Sequence, residues 1–258
     1  MNPSHVANSD TRGSLVLVGA GVHFPDQLTA EALDALASSR MVLTIVPDVV
    51  LRALPATLRE KCTPLWHLYE PNRKRAENYR TVIEAVMSAL KEGGKISWLT
   101  PGHPLVFDSV SEGLRARAHA EGVSVEIVPG ISCIDTVLAD VGYEPANGLV
   151  VHEATAVVEQ GIALDPRLAT ILLQLGVFGT ALPRLTGKEP LPDFAPLRDH
   201  VLRFYPDETR VAFVRSRWSQ PAGTVVWVTL NEMLNVTREY VDGTSMFISR
   251  ADHRGLLG

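Results

Sequence analysis

Residues Lys95 to Phe107 read KISWLTPGHPLVF, and the organisation of the chain follows from them. Ile96 to Leu99 are strand formers, and the run breaks at Pro101-Gly102-His103-Pro104. Proline has a fixed φ and no backbone N–H, so two prolines bracketing a glycine cannot extend a strand or fill a helix interior. From Leu105 on, Phe107, Val110, Leu114 and Ala118 recur at helical spacing. The segment is predicted as strand, sharp loop, helix. Its loop then lies at the carboxyl end of a parallel strand, where open α/β sheets bind ligands. Rigid prolines around a flexible glycine also present backbone groups at a set angle, which suits a ligand held by main-chain contacts. A plain βα connection would carry the same local signal.

Toward the amino terminus, Gly13 to Gly19 (GSLVLVG) is an apolar run that fits a buried first strand. It ends in Gly19-Ala20-Gly21, and Thr29 caps a predicted helix with the stripe Leu33, Leu36 and Ala37. A dinucleotide fingerprint is a weak reading, because Phe24 takes the third glycine position and the helix starts too late. Met41 to Val46 is the second strand, and a helix is predicted over Leu51 to Arg59. The aromatic stretch Trp66 to Pro71 precedes a basic run, Arg73-Lys74-Arg75. The following helix has the stripe Tyr79, Ile83, Val86, Met87, Leu90 and stops at Gly93-Gly94. Extended back one turn, that apolar stripe begins at Arg75. An arginine there should be paired or reach into a cleft; snorkelling to water is the plainer alternative.

Toward the carboxyl terminus, Ser124 to Val128 is a short strand closing in Pro129-Gly130-Ile131, with Ser132 placed to cap a helix. The turn-rich stretch Asp140 to Gly148 marks a boundary between an N-terminal α/β domain (13–143) and a C-terminal one (148–258). In the second half, strands are expected at Leu149 to His152, Thr170 to Leu175, Val211 to Val214, Thr224 to Val228 and Met246 to Ile248. Helical spacing returns only at Phe194, Leu197, Val201 and Leu202. Fewer helices per strand point to a mixed, partly antiparallel sheet. The fold class is therefore α/β in two domains, with a parallel first sheet, a mixed second sheet and a cleft between them.

The totals narrow the function. The chain has 258 residues, 46% hydrophobic and 21% charged, with net charge −5 and a pI near 5.9. Acidity argues against nucleic acid as a partner. Cys62 and Cys133 are the two cysteines, so no disulfide framework is indicated and a reducing, cytoplasmic setting fits. Residues 1–12 (MNPSHVANSDTR) are polar and read as a disordered tail, and no run is long enough to span a membrane. P-loop, nucleophile-elbow and zincin motifs do not occur, which leaves ATPase, hydrolase and metalloprotease readings unsupported. His103 has no second ligand at suitable spacing, so a metal role is rejected.

Taken together, the loops resemble the tetrapyrrole methylase superfamily of S-adenosylmethionine-dependent methyltransferases. The family opens V-G-x-G-P-G-D-P-x-x-L-T, and Val18-Gly19-Ala20-Gly21, Pro25 and Leu28-Thr29 match in register. Its G-D-P matches Gly102-His103-Pro104, its V-P-G-[IV]-[ST]-[SA] matches Val128 to Cys133, and its later strand-glycine matches Leu175-Gly176. A closing P-T is echoed weakly by Thr244-Ser245. The first motif has lost P-G-D to Val22-His23-Phe24, and G-D-P has become G-H-P. G-H-P followed by Val106-Phe107 is similar to the borosin-type peptide backbone α-N-methyltransferases. That branch also carries a tyrosine, an arginine six residues on and a tyrosine four later, the spacing of Tyr69, Arg75 and Tyr79. Pro101 stands where the branch often has tyrosine.

The resemblance implies S-adenosylmethionine in the interdomain cleft, with S-adenosylhomocysteine as product. Its contacts would include Pro101, His103, Val106, Phe107, Ser132 and Cys133, with Gln174, Leu175, Ala212, Thr244 and Ser245 from the second domain. The amide lone pair is delocalised, so N-methylation requires removal of the N–H proton or charge shifted to oxygen. Tyr79 is assigned as base, Arg75 as its electrostatic partner and Tyr69 as second donor or base; the two tyrosines' roles are interchangeable at this level. The tail after Ser249 is short for a fused substrate, so a ribosomal precursor peptide supplied in trans is expected, and family analogy implies a homodimer. A tetrapyrrole C-methyltransferase and a non-catalytic cofactor-binding regulator are the alternatives.

Overall fold

The computed structural model describes residues 13–185, 188–217, 223–235 and 243–250; the amino-terminal 1–12, read above as a tail, and 251–258 lie outside the described residues. In chain order the elements are β1 (Ser14–Gly19), α1 (Ala30–Ser38), β2 (Met41–Thr44), α2 (Asp48–Ala53), α3 (Ala56–Arg59), β3 (Cys62–Pro64), α4 (Arg75–Leu90), β4 (Lys95–Thr100), α5 (Ser109–Ala120) and β5 (Val125–Val128). Then follow α6 (Cys133–Val141), β6 (Leu149–Glu153), α7 (Ala154–Glu159), β7 (Ala169–Leu173), α8 (Ala195–Val201), β8 (Arg210–Arg215), β9 (Thr224–Thr229) and β10 (Ser245–Ile248). The chain divides into two compact units. One takes residues up to Ala20, Leu28–Leu68 and Tyr79–Gly130; the other takes Gly21–Gln27, Tyr69–Asn78 and the chain from Ile131 on.

The first unit holds a five-stranded parallel sheet in the order β3-β2-β4-β1-β5. Its inner strands are apolar at successive positions, and Leu15 to Val18 and Ile96 to Leu99 are all buried. Parallel sheets covered on both faces require such runs. From β1 the chain goes to β2 on one side, and from β4 to β5 on the other. The adjacent ends of β1 and β4 therefore straddle a topological switch point, the place where an open α/β sheet leaves a ligand-sized crevice.

Several sequence expectations need correcting here. Phe107 is not on the helical stripe: α5 begins at Ser109 with Asp108 as its N-cap, and Phe107 precedes it with φ 55°. Val110, Leu114 and Ala118 do face inward. The helix expected over Leu51 to Arg59 is two short ones, α2 and α3, because Pro55 cannot donate within a helix. On α1 the buried positions are Ala32, Ala35 and Leu36, while Ala37 is exposed. On α4 they are Asn78, Val82, Val86, Met87 and Leu90, with Tyr79 and Ile83 only half-buried. Strand β3 was not anticipated: three residues ending in proline give no period-two signal. The predicted caps hold, since Thr29 Oγ1 accepts the Ala32 N–H at 3.0 Å.

Asp108 joins β4 to α5. Its Oδ1 accepts the N–H groups of Val110 and Ser111, both at 3.0 Å, and its Oδ2 accepts the hydroxyls of Thr100 at 2.6 Å and Ser111 at 2.7 Å. Ser111 Oγ also accepts the indole N–H of the fully buried Trp98 at 3.1 Å.

The second unit's sheet has the order β6-β7-β10-β8-β9, with β6 and β7 parallel and the remaining pairs antiparallel. This is the mixed sheet predicted from the thinning of helices along the sequence. Leu172, Leu175, Leu197, Val201, Phe213 and Met246 pack together as its core.

Replacing Asp108 by alanine removes a helix cap and strands the Thr100 and Ser111 hydroxyls. A loss of about 2–3 kcal/mol is expected, the sum of a typical cap and of hydroxyls left poorly paired. Urea unfolding of Asp108→Ala should show a clearly lowered midpoint at unchanged slope. An unchanged midpoint would mean that the network is not a support of the loop.

Candidate functional site

At the carboxyl ends of β1, β4 and β5 the main chains of Gly19, Gly102 and Gly130 touch. A Cβ on Gly19 would lie 2.5 Å from both Gly102 O and Gly130 N, and one on Gly130 would meet Gly102 O closer still. No side chain fits at Gly19 or Gly130, so those two glycines are dictated by contact with their neighbours' main chains. Gly102 has φ 67° and turns the chain into the 101–107 loop. In that loop His103 is used locally: its Nδ1 accepts the Leu105 N–H and its carbonyl accepts the Val106 N–H, both at 3.0 Å. Pro101, His103 and Val106 are half-buried, while Phe107 is 40% exposed.

Phe107 and Gln174 are the non-glycine residues with positive φ among those described, at 55° and 65°. L-residues pay for the left-handed region, and such strain concentrates where a site needs it. Each directly follows a strand or its loop, and both belong to the candidate set read from sequence. Gln174 is exposed after β7, whereas Leu175 and Ala212 have 0% exposure and present no surface to a ligand.

Ser132 caps α6 as predicted and does so reciprocally. Its Oγ accepts the Asp135 N–H at 3.3 Å, and its own N–H and hydroxyl donate to Asp135 Oδ2 at 2.7 and 2.6 Å. Cys133 opens that helix largely enclosed, and burial pushes its thiol up to about 11, so it stays protonated at neutral pH. At the start of β10, Thr244 is 3% exposed and Ser245 7%. The Thr244 hydroxyl oxygen is buried with no hydrogen-bond partner among the described residues. The loop that departs from the family's P-G-D is self-sufficient. Gln27 Oε1 accepts the N–H groups of Val22 at 2.9 Å and His23 at 2.7 Å, and Arg217 donates to Asp26 at 2.8 Å.

The Tyr69–Asn78 segment is held by two residues that periodicity did not single out. Asn78 is fully buried; its Oδ1 accepts the Glu70 N–H at 3.0 Å, and its Nδ2 donates to the carbonyls of Glu70 at 3.0 Å and Arg73 at 3.2 Å. One amide thus folds the loop carrying Tyr69 back onto α4. Arg75 is half-buried and, among the described residues, joins no carboxylate pair. Its backbone N–H donates to Ala181 O at 2.8 Å and its guanidinium to Thr180 O at 3.0 Å. A hydrogen bond to a neutral carbonyl leaves the guanidinium's charge uncancelled, which is what an electrostatic partner of a phenolate needs. Tyr69 and Tyr79 are half-buried, and Tyr79 stands one turn beyond Arg75 on α4.

Asp108, Asn78 and Thr180 were missed as supports. Asp108 had a readable signal, an acceptor side chain just ahead of a helical stripe. Asn78 and Thr180 had none, since an asparagine in a polar turn of helix and a threonine in a loop are ordinary by themselves. Among the described residues no group of three or more His, Cys, Asp or Glu is arranged to hold a metal.

Comparison with known proteins gives the family. Residues 14–234 match the model of the tetrapyrrole (corrin/porphyrin) methylases. A methyltransferase/type II borosin cyclic peptide precursor of Phlebiopsis gigantea is 32% identical over 178 residues, 68% of this chain and 32% of the relative. A methyltransferase/type III borosin precursor of Anomoporia bombycina is 26% identical over 238 residues, 91% of this chain and 28% of the relative. The chain thus spans about a third or less of the length of these two relatives. Among solved structures, uroporphyrin-III-C-methyltransferase from Thermus thermophilus superposes with a TM-score of 0.63 at 20% identity, covering 93% of each chain. That enzyme in complex with S-adenosyl homocysteine superposes at 0.61 and 22% identity, covering 93% of this chain and 98% of the other. At those identities the likeness establishes the fold. With three glycine-bearing loops in the family's order and the model matched from β1 to beyond β9, the chain belongs to the tetrapyrrole (corrin/porphyrin) methylase family.

Proposed function

We propose that this chain is an S-adenosylmethionine-dependent methyltransferase whose acceptors are backbone amide nitrogens of a peptide. The observation that carries the reading is Arg75, held by Thr180 O with its charge intact and standing between Tyr69 and Tyr79 in sequence. The relatives whose names join a methyltransferase to a cyclic peptide precursor support the substrate class.

Each unit, taken by itself, has features that suit such a cofactor. A buried hydroxyl without a partner costs about 1–3 kcal/mol, and a nucleoside's polar edge would relieve that cost at Thr244. Phe107, exposed and held in a strained conformation, offers a flat apolar surface, and the 101–107 loop offers backbone groups near the switch point. When bound, S-adenosylmethionine supplies an electrophilic methyl group. The chain's own residues prepare the acceptor. Tyr79 Oη takes the amide proton, Arg75 lowers the cost of a phenolate and of charge on the amide oxygen, and Tyr69 donates to that oxygen. Asn78 keeps Tyr69 in place by bonding the backbone immediately after it.

Calorimetry is expected to show binding of S-adenosylmethionine and of S-adenosylhomocysteine to EDTA-treated protein. Thr244→Val, isosteric without the hydroxyl, should weaken binding about three- to tenfold, the range of one hydrogen bond. Binding equal to wild type would remove Thr244 from the site.

The reaction itself is tested with a separate valine- and leucine-containing peptide, and in a parallel arm a porphyrinogen. Tandem mass spectrometry should place methyl groups on backbone nitrogens of the peptide. Tyr79→Phe and Arg75→Ala should lower turnover at least 100-fold, as loss of acid–base or oxyanion assistance does, while cofactor affinity stays within about threefold. Methyl groups on side chains alone, or on the porphyrinogen alone, would refute the peptide reading.

A further inference from the structure

The second unit contains a cavity of about 780 Å³ that the reaction scheme does not yet use. Phe178 and Val158 reach it from the packed core, and Leu182, Pro183, Leu191 and Pro192 stand on its rim. Pro71 and Asn72 make another wall, and they lie between Tyr69 and Arg75. Thr180, whose carbonyl accepts the Arg75 guanidinium, is also part of the lining. The cavity thus borders the stretch between Tyr69 and Arg75 and the carbonyl-bearing residue that holds Arg75.

The rim is built rather than incidental. Arg184 Nη1 donates to the carbonyls of Glu189 at 3.3 Å and Pro190 at 2.5 Å, and the Leu185 N–H donates to the Glu189 carboxylate at 2.8 Å. Pro183, Pro190, Pro192 and Pro196 set the local backbone and withdraw its donors. A peptide cannot add to such a rim as a strand, because the proline positions offer no N–H. The lining is mixed: Arg184, Lys188, Glu189 and Asp193 stand on it beside Leu182, 43% exposed, Leu191 and Phe178, whose apolar surface suits aliphatic side chains.

We infer that this cavity takes the apolar side chains of peptide residues flanking the methylated amide, and so sets which sequences are accepted. The assignment rests on the peptide reading above for its choice of occupant. Burying one aliphatic side chain there accounts for about a tenfold or larger change in affinity.

The test uses the full chain and a fluorescein-labelled decapeptide with valine and leucine at its centre and lysines at both ends. A counterpart carries serine at the central positions. By fluorescence anisotropy, wild type is expected to bind the apolar peptide at least tenfold more tightly than the serine one. Leu182→Glu and Leu191→Glu should each erase that preference while thermal unfolding and the affinity for S-adenosylmethionine stay unchanged; the pair guards against one variant misfolding. Equal binding of the two peptides, or a preference that survives both substitutions, overturns the inference. So does displacement of the peptide by a porphyrinogen at matching stoichiometry. A loss of self-association in the variants at unchanged peptide affinity would make the surface a contact between copies, and overturns it too. Methyl transfer to the same peptide is followed separately. Discriminating binding without transfer would refute the proposed reaction and leave the cavity's assignment standing.

Discussion

The approach of the Gly19, Gly102 and Gly130 main chains is the constraint on which the first unit's site depends. Strands β1, β4 and β5 end side by side, and the space around Gly19 and Gly130 admits no Cβ. Any other residue at Gly19 or Gly130 would push the loops apart and with them the backbone groups at the switch point. The cost of three glycines is paid in conformational entropy, and Asp108 offsets part of it by bonding β4's Thr100 to the first turn of α5. The 101–107 loop is thus held at both ends, by backbone contact on one side and a carboxylate on the other. That is enough to keep Phe107 at a φ that an unsupported loop would relax.

A similar logic governs the Tyr69–Asn78 segment, with polar side chains in place of glycines. Asn78 spends its amide on two backbone positions and Arg75 spends two donors on the 180–181 carbonyls. Neither interaction involves an opposite charge. Arg75 is therefore positioned without being neutralised, which distinguishes it from Arg115 or Arg117, each engaged with surface carboxylates. A guanidinium held by a carbonyl in place of a carboxylate keeps the charge that can stabilise a developing anion. A solvent-exposed ion pair is suited to little beyond solubility.

Buried hydroxyls differ in whether the described residues satisfy them, and Thr244 shares its unsatisfied state with Glu153 Oε1, Glu189 Oε2 and Arg250 Nε. Ser132, Ser111 and Ser39 are buried hydroxyls with all their geometry spent on neighbours. Thr244 is as buried and its oxygen is not used within the described residues. A fold retains such a group at a cost unless something outside the chain pairs with it, and this makes Thr244 the most informative of the second-unit candidates. Leu175 and Ala212, wholly enclosed, instead belong to the core beside Gln174 and to the interior strand β8.

The sequence by itself determined the fold class, the two kinds of sheet, the helix caps at Thr29 and Ser132 and the loops that carry the family's glycines. These are local in cause: period-two and period-3.6 patterns, acceptor side chains before helices, and residues whose backbone freedom is unusual. It also singled out Arg75, since a charge at the head of an apolar stripe is visible without any coordinates. Two further local causes, a cap and a proline, override the hydrophobic period, whereas what only the tertiary structure decided is non-local. Phe107 left the α5 stripe because Asp108 caps the helix one residue later and Gly102 has already turned the chain. Leu51 to Arg59 split because Pro55 breaks the hydrogen-bond ladder, which a hydrophobic pattern alone does not register. Asn78 and Thr180 became supports through partners as distant as the 105 residues between Arg75 and Thr180. Pairing across that distance depends on where the folded chain brings a carbonyl, and no spacing rule within a helix or strand can express it.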